Sequence, residues 1–230
     1  MISFNEHVER SFGIYEGVND PGIFKAIFLA GGPGSGKSYV TSKVIPSSLG
    51  LKMINSDEVF ELKMQRADLN LDPESIASPK GQEIRDKAKT LVNKRQKLYL
   101  TGRLGLVIDG TGKDFNKIEE QVRHLKSLGY DCYMIFVNTS EEVAQSRNLA
   151  RPRSLESDLV KRLWSRVQKN IGSFQSLFGR DNFAIIDNNN ANEEIFKPVF
   201  KDVVRFVKKP VENHIARKWI NDQRWFNKNG

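Results

Sequence analysis

The stretch G-G-P-G-S-G-K-S at residues 31–38 constrains this chain more than any other. It satisfies G-x-x-x-x-G-K-[ST], a spacing with a mechanical meaning. Glycines let successive backbone N–H groups converge on one concavity, a lysine reaches the outer phosphates of a nucleotide, and a hydroxyl faces magnesium. The candidate phosphate-binding residues are therefore Gly31, Gly32, Pro33, Gly34, Ser35, Gly36, Lys37 and Ser38, with Tyr39 following, and Ser38 is the candidate magnesium ligand. Such a loop needs a strand feeding it and a helix leaving it. The apolar run F-K-A-I-F-L-A at 24–30 suits a central parallel strand buried on both faces, and a helix is expected to open at Lys37.

Four more apolar runs follow, at 51–54, 104–108, 130–137 and 182–186. Helical patterns lie between them: 79–100, with Ile84, Ala88, Leu91 and Val92 on one stripe; 114–128, ending at Gly129; 140–150; and 155–177. Strands alternating with helices imply right-handed crossovers. The expected fold is a three-layer α/β P-loop fold with a parallel sheet of about five strands, plus a basic helical C-terminal tail. Residues 1–22 read as an amphipathic arm closed by the turn signal Asn19-Asp20-Pro21-Gly22, residues 23–190 as the main domain, and 191–230 as the extension. The segment 58–100 exceeds an ordinary crossover, and part of it is expected to cover an acceptor site.

Composition removes several classes. A single cysteine, Cys132, excludes an internal disulfide and a cysteine-rich zinc site, and makes a cytoplasmic location the default. Its setting, Y-D-C-Y-M-I-F-V, reads as buried strand. His7, His124 and His214 show no ligand spacing. No window approaches the roughly 18 consecutive apolar residues of a membrane span, and M-I-S-F-N-E-H-V-E-R-S-F lacks the pattern of a secretory leader. A guanine-reading N-K-x-D is missing, and the glycines do not fit the dinucleotide pattern G-x-G-x-x-G.

Net charge is +8, and residues 201–230 hold eight Lys or Arg against three Asp or Glu. A basic end can attract nucleic acid or simply keep a helix solvated. Trp219, Trp225 and Phe226, beside Arg217 and Arg224, could dock the tail on the body or stack on bases.

Ligands of open α/β sheets bind at the C-terminal ends of the strands. Asn55-Ser56-Asp57-Glu58 follows one strand and Asp109-Gly110-Thr111-Gly112 another. A carboxylate there can accept the proton of an attacking hydroxyl, and a second can hold the acceptor or magnesium. For Asp57 a purely structural role is a helix N-cap. Arg147, Arg151 and Arg153 cluster around Pro152; Arg147 and Arg151 share a helix face at i, i+4 and could meet the charge of a transferring phosphoryl group.

With these motifs in order, residues 24 to roughly 190 resemble the P-loop kinases that include zeta toxins and 5′-hydroxyl polynucleotide kinases. The resemblance rests on G-G-P-G-S-G-K-S, I-N-S-D at 54–57, L-V-I-D-G-T-G at 106–112 and R-N-x-x-R at 147–151. It implies ATP as donor with magnesium, Asp57 as the base toward the acceptor hydroxyl, Asp109 and Thr111 as acceptor or magnesium contacts, and Arg147 and Arg151 on the donor phosphates. Two acceptors stay open. I-D-G-T-G and L-K-S-L-G-Y-D look like a zeta toxin, which implies a UDP-activated amino sugar. I-N-S-D-E and the spacing from Thr111 to the arginines look like a polynucleotide kinase, although Phe60 stands where those kinases carry an acceptor-phosphate arginine. The alternative from another class is a nucleotide-dependent RNA- or protein-binding module with little phosphotransfer.

Overall fold

The computed structural model describes residues 14–150, 154–190 and 192–229. Five parallel strands form one sheet: β1 (Lys25–Ala30), β2 (Lys52–Ile54), β3 (Leu106–Asp109), β4 (Asp131–Asn138) and β5 (Phe183–Asp187), in the order β2-β3-β1-β4-β5. β1 is central and buried along its whole length, pairing with β3 from Ala26–Leu106 to Leu29–Asp109 and with β4 from Lys25–Asp131 to Ala30–Phe136. Successive side chains of a strand point to opposite faces. Ala26, Phe28 and Ala30 accordingly enter one apolar layer, and Ile27 and Leu29 the other.

Helices cover both faces. α1 (Lys37–Val44) leaves the glycine loop, and α2 (Ser56–Arg66), α3 (Pro73–Ala77) and α4 (Pro79–Thr101) fill the long crossover to β3. α5 (Phe115–Ser127) links β3 to β4; α6 (Glu141–Leu149), α7 (Ser157–Lys169) and α8 (Ile171–Phe178) precede β5; α9 (Phe196–Lys208) and α10 (His214–Asn229) follow it. Val40 and Val44 of α1 join Phe196, Val199, Val203, Phe206 and Val207 of α9 against one face. Val92 of α4, Ile118, Val122 and Leu125 of α5, and Phe174 and Phe178 of α8 pack on the other. Each fully buried side chain of this size contributes about 1.5–3 kcal/mol relative to exposure. α9 is thus part of the core although it lies beyond residue 190.

The crossover 58–100 has its own small core of Phe60, Met64, Ile76, Ile84 and Ala88. Ser78 caps α4 by accepting from Gly81 N at 3.0 Å, and Pro79 occupies the first helical position, where its missing N–H costs nothing. Leu91 of the expected stripe is only half-buried. The pattern 155–177 is two helices rather than one. Asn170 stands at the break, and its Nδ2 donates to Gly112 O at 2.8 Å, tying the corner to the loop after β3.

Residues 1–13 of the expected arm lie outside the described residues. The turn after it is built inward: Asp20 is buried, and its Oδ1 accepts from Gly22 N at 2.8 Å and Gly105 N at 3.1 Å. α10 docks through Ala216, which is buried against Gly129, and through Trp219, whose ring meets Phe24 edge-on at 5.6 Å. Trp225 and Phe226 remain 61% and 59% exposed. Among the described residues no helix is long and apolar enough to cross a membrane.

Candidate functional site

The glycine loop runs from the end of β1 into α1, and its neighbours leave no room for a side chain at Gly34 or Gly36. A Cβ on Gly34 (φ +76°) would lie 2.3 Å from Ala144 O, and one on Gly36 (φ +77°) would lie 2.4 Å from Asn188 Nδ2. Both glycines hold left-handed backbone that other residues resist. The loop is fastened from two sides and closed by one bond of its own. Gly31 N donates to Thr111 O at 3.1 Å, Ser35 N to Gly32 O at 3.2 Å, and Asn188 Nδ2 to Ser35 O at 2.8 Å.

Lys37 opens α1, and its Nζ pairs with Asp109 Oδ1 at 2.8 Å. Asp109 Oδ2 accepts from Asn55 Nδ2 at 2.9 Å. Asn55 Oδ1 in turn accepts from Asp57 N at 2.8 Å and Glu58 N at 3.4 Å, capping α2. One chain of contacts therefore runs from the phosphate loop through β3 to the first turn of α2. The N-cap considered for Asp57 belongs to Asn55. Asp57 itself is exposed in the first turn.

Asp109, Gly110, Thr111 and Ser56 line a cavity of about 450 Å³ between α4 and α5. Lys89, Asn93 and Gln96 of α4 form one wall, and Lys113, Lys117 and Gln121 the other. Part of the long crossover thus lines this space. Among the described residues Lys113 and Lys117 have no ion pair, while Lys89 reaches Asp86 at 3.6 Å. Phe60 is buried beneath the guanidinium of Arg85, 4.7 Å above its ring, and does not line the cavity.

Across the loop, Arg147 projects from α6. Its Nη2 donates to Asn189 O at 3.4 Å, while its buried Nη1 has no hydrogen-bond partner among the described residues and lies 3.6 Å from the position a Cβ on Gly36 would take. Asn148, next to it, is buried and bonds both backbone groups of Leu155: Nδ2 to O at 2.8 Å and N to Oδ1 at 2.9 Å. That pair pins the two sides of the segment containing Arg151, which lies outside the described residues. Asn189 Oδ1 accepts from Ser140 N at 2.7 Å, holding the start of α6 to the end of β5.

The structure brings Lys37, Asp109 and Thr111 to one end of the sheet with Arg147 on the loop's other flank. Ser38 and Tyr39 are exposed; the Tyr39 ring packs edge-on against Phe196 at 5.8 Å and beneath Lys43 Nζ. Sequence reasoning passed over Asn55, Asn188 and Asn189. An Asn directly before Ser-Asp-Glu is a helix-start signal, and Asn188–Asn190 is a polar run directly after the edge strand β5; either could have marked them.

A family model described as an AAA domain matches residues 27–173. The chain belongs to that AAA domain family. No curated protein matches it by sequence. Among solved structures, this AAA domain chain is similar to a chain of the PezAT chromosomal toxin–antitoxin system of Streptococcus pneumoniae, at TM-score 0.54 and 15% identity, covering 88% of this chain and 97% of that one. A structure of AvrRxo1-ORF1:-ORF2 with ATP aligns at TM-score 0.56 and 12% identity, over 80% of this chain and 63% of that one. A chain of the Pnkp1/Rnl/Hen1 RNA repair complex aligns at TM-score 0.51 and 18% identity, over 65% and 46%. These likenesses place the AAA domain chain in the P-loop kinase fold that its motifs resemble.

Proposed function

We propose that the chain is an ATP- and magnesium-dependent kinase that transfers the γ-phosphoryl group to a hydroxyl of a phosphate-bearing acceptor: a nucleotide, a nucleotide sugar or a nucleic-acid 5′ end. The observation that carries this reading is the Lys37–Asp109 contact at 2.8 Å. It sets the donor lysine directly against the wall of the cavity that Asp109 and Thr111 line, so donor and acceptor would meet without a gap. A site built for nucleotide-driven shape change alone has no need of that second chamber.

The residues present fit the donor. Gly34 and Gly36 keep the left-handed loop backbone bare, because a Cβ there would strike Ala144 or Asn188, and Arg147 Nη1 beside the loop is a buried guanidinium donor without a hydrogen-bond partner among the described residues. In this reading Lys37 and the loop hold the β- and γ-phosphates, and Arg147, joined by Arg151, meets the charge that spreads over the transferring group. Magnesium, held by Ser38 with Asp109 near it, would neutralise phosphate charge when bound. Asp57, next to the cavity-lining Ser56, accepts the proton of the attacking hydroxyl, and Asn55 positions it through the cap. Lys89, Lys113 and Lys117 supply three cations to the cavity, which suits an acceptor with its own phosphate. The AvrRxo1 structure with ATP and the kinship of the RNA repair chain support a nucleotide donor and leave nucleic acid among the acceptors.

The test is transfer of label from γ-labelled ATP with magnesium to 5′-hydroxyl DNA and RNA oligonucleotides, UDP-N-acetylglucosamine and nucleotides. Asp57→Asn should still bind ATP and lose most turnover, on the order of 10²-fold or more. Unchanged turnover in Asp57→Asn would refute its role as base. ATP bound but label on none of the acceptors would favour the nucleotide-dependent binding module.

A further inference from the structure

The peptide joining Ser35 to Gly36 lies inside the phosphate loop, and its glycine neighbours do not fix its orientation. Gly34 and Gly36 both hold positive φ, at +76° and +77°. Glycine populates positive and negative φ about equally, so the residues that permit this loop also leave the peptide beside Gly36 free to turn over. A planar trans peptide carries its C=O and N–H in opposite directions. Whatever holds the Ser35 carbonyl therefore aims the Gly36 N–H.

Asn188 holds that carbonyl. Its Nδ2 donates to Ser35 O at 2.8 Å, across 153 positions of sequence. The sheet in turn sets Asn188: its backbone N donates to Asn138 O at 2.8 Å, which extends the β4–β5 ladder beyond Asp187, the last residue of β5. A side chain carried on the end of a strand is held more firmly than one on a free loop. The fit is close as well. The position a Cβ on Gly36 would take lies 2.4 Å from Asn188 Nδ2 and 3.6 Å from Arg147 Nη1, so this is the stretch of loop beside the Arg147 guanidinium.

Two observations argue that Asn188 serves the loop and not the stability of the fold. Asn188 is 2% exposed, and its Oδ1 is buried with no hydrogen-bond partner among the described residues. An unpaired buried acceptor costs at least as much as one neutral hydrogen bond returns, so the amide brings the fold no net gain. On the other side of the same peptide, the Gly36 N–H finds no backbone acceptor among the described residues. It is a donor aimed by the protein and left for something else.

We propose that Asn188 is a positioning residue for the nucleotide, locking the Ser35–Gly36 peptide with its N–H toward the bound phosphates. Asn188 touches the loop and not the ligand. Without the lock the peptide samples both orientations, and the phosphates lose one donor. The assignment rests on the nucleotide-binding half of the kinase reading and on no phosphotransfer step.

The experiment is calorimetric titration of the full chain with ADP and magnesium, which binds without turnover, together with the assigned nitrogen–proton correlation spectrum. Asn188→Leu keeps a branched side chain without the donor, and Asn188→Ala removes both. Each should weaken ADP about tenfold, the worth of one hydrogen bond to a charged group. In the parent, saturating ADP should move the Gly36 amide proton downfield, as a new bond to phosphate does; both variants should keep little of that shift. Melting temperature without nucleotide checks that each variant folds, and Asn188→Ala decides alone if Asn188→Leu does not. Parental affinity in Asn188→Leu with only Asn188→Ala impaired would mark a packing role and overturn the proposal. An unchanged Gly36 shift in a weakened variant would overturn it too. A parent that binds no ADP would overturn the nucleotide reading and this assignment together, whereas the other two failures leave that reading intact.

Discussion

Asn55 is the joint of the site, and its two jobs can be separated by substitution. Its Oδ1 caps α2, a role worth about 1 kcal/mol. Its Nδ2 donates to the Asp109 carboxylate at 2.9 Å, a charge-assisted bond worth at least about 1.5 kcal/mol. Asn55→Ala loses both, about 2.5 kcal/mol, which for a chain of this size lowers the melting temperature by roughly 5–10 °C. Asn55→Ser keeps a capping oxygen and loses only the amide donor, about 1.5 kcal/mol. Asn55→Asp keeps the cap but sets a carboxylate against Asp109. At an effective dielectric near 20 the repulsion at this separation is about 6 kcal/mol, an upper bound because the side chains can rotate apart. The expected order of stability is parent, Ser, Ala, Asp, measured by urea and thermal unfolding of the nucleotide-free chain. Turnover should fall even in the Ser variant, because Asp109 then loses the amide that holds its carboxylate beside Lys37. An Asp variant as stable as the Ser variant would refute the contact with Asp109, and an Ala variant no worse than Ser would refute the cap.

Two further outcomes are expected. Gly34→Ala should lose at least about 1–2 kcal/mol from its left-handed backbone alone, and the new methyl would displace α6 at Ala144; nucleotide binding that survives at parental affinity would show that the loop tolerates a wider cradle. Burial pushes the Cys132 thiol from 9.0 up to about 12 and the Tyr133 phenol from 10.0 up to about 12. Because the folded chain holds these protons more tightly than the unfolded one, their contribution is intact below about pH 9 and is lost as pH rises toward 12. Unfolding midpoints should therefore fall across that window, and a thiol reagent at pH 9 should label Cys132 only in urea. Equal labelling of the folded chain would contradict its burial.

The glycine loop was legible in the residues because its function is local: phosphate binding needs consecutive N–H groups, and consecutive groups are written consecutively. Strand and helix types were legible for the same reason, since β1 and α4 carry their periodicity within one segment. The break at Asn170 was not, because it is made by an amide reaching Gly112, 58 positions away. α9 was expected to lie outside the main domain, as its basic residues suggested. Its apolar stripe of Val199, Val203, Phe206 and Val207 instead completes one face of the sheet.

What the sequence determined by itself was chemistry available at short range: a phosphate cradle, a lysine and hydroxyl beside it, carboxylates at two strand ends and arginines on a later helix. Tertiary structure alone decided which of these meet. Strand order set β3 beside β1, so Asp109 faces Lys37; the placing of α4 and α5 on either side of one cavity brought lysines from separate segments together; and the closing of α9 and α10 over the start of β1 gathered a second set of cations about 20 Å from the first. The physical reason is that propensity and periodicity act over one or two turns of chain. The pairing of strands and the burial of their faces act between segments that the chain itself keeps far apart.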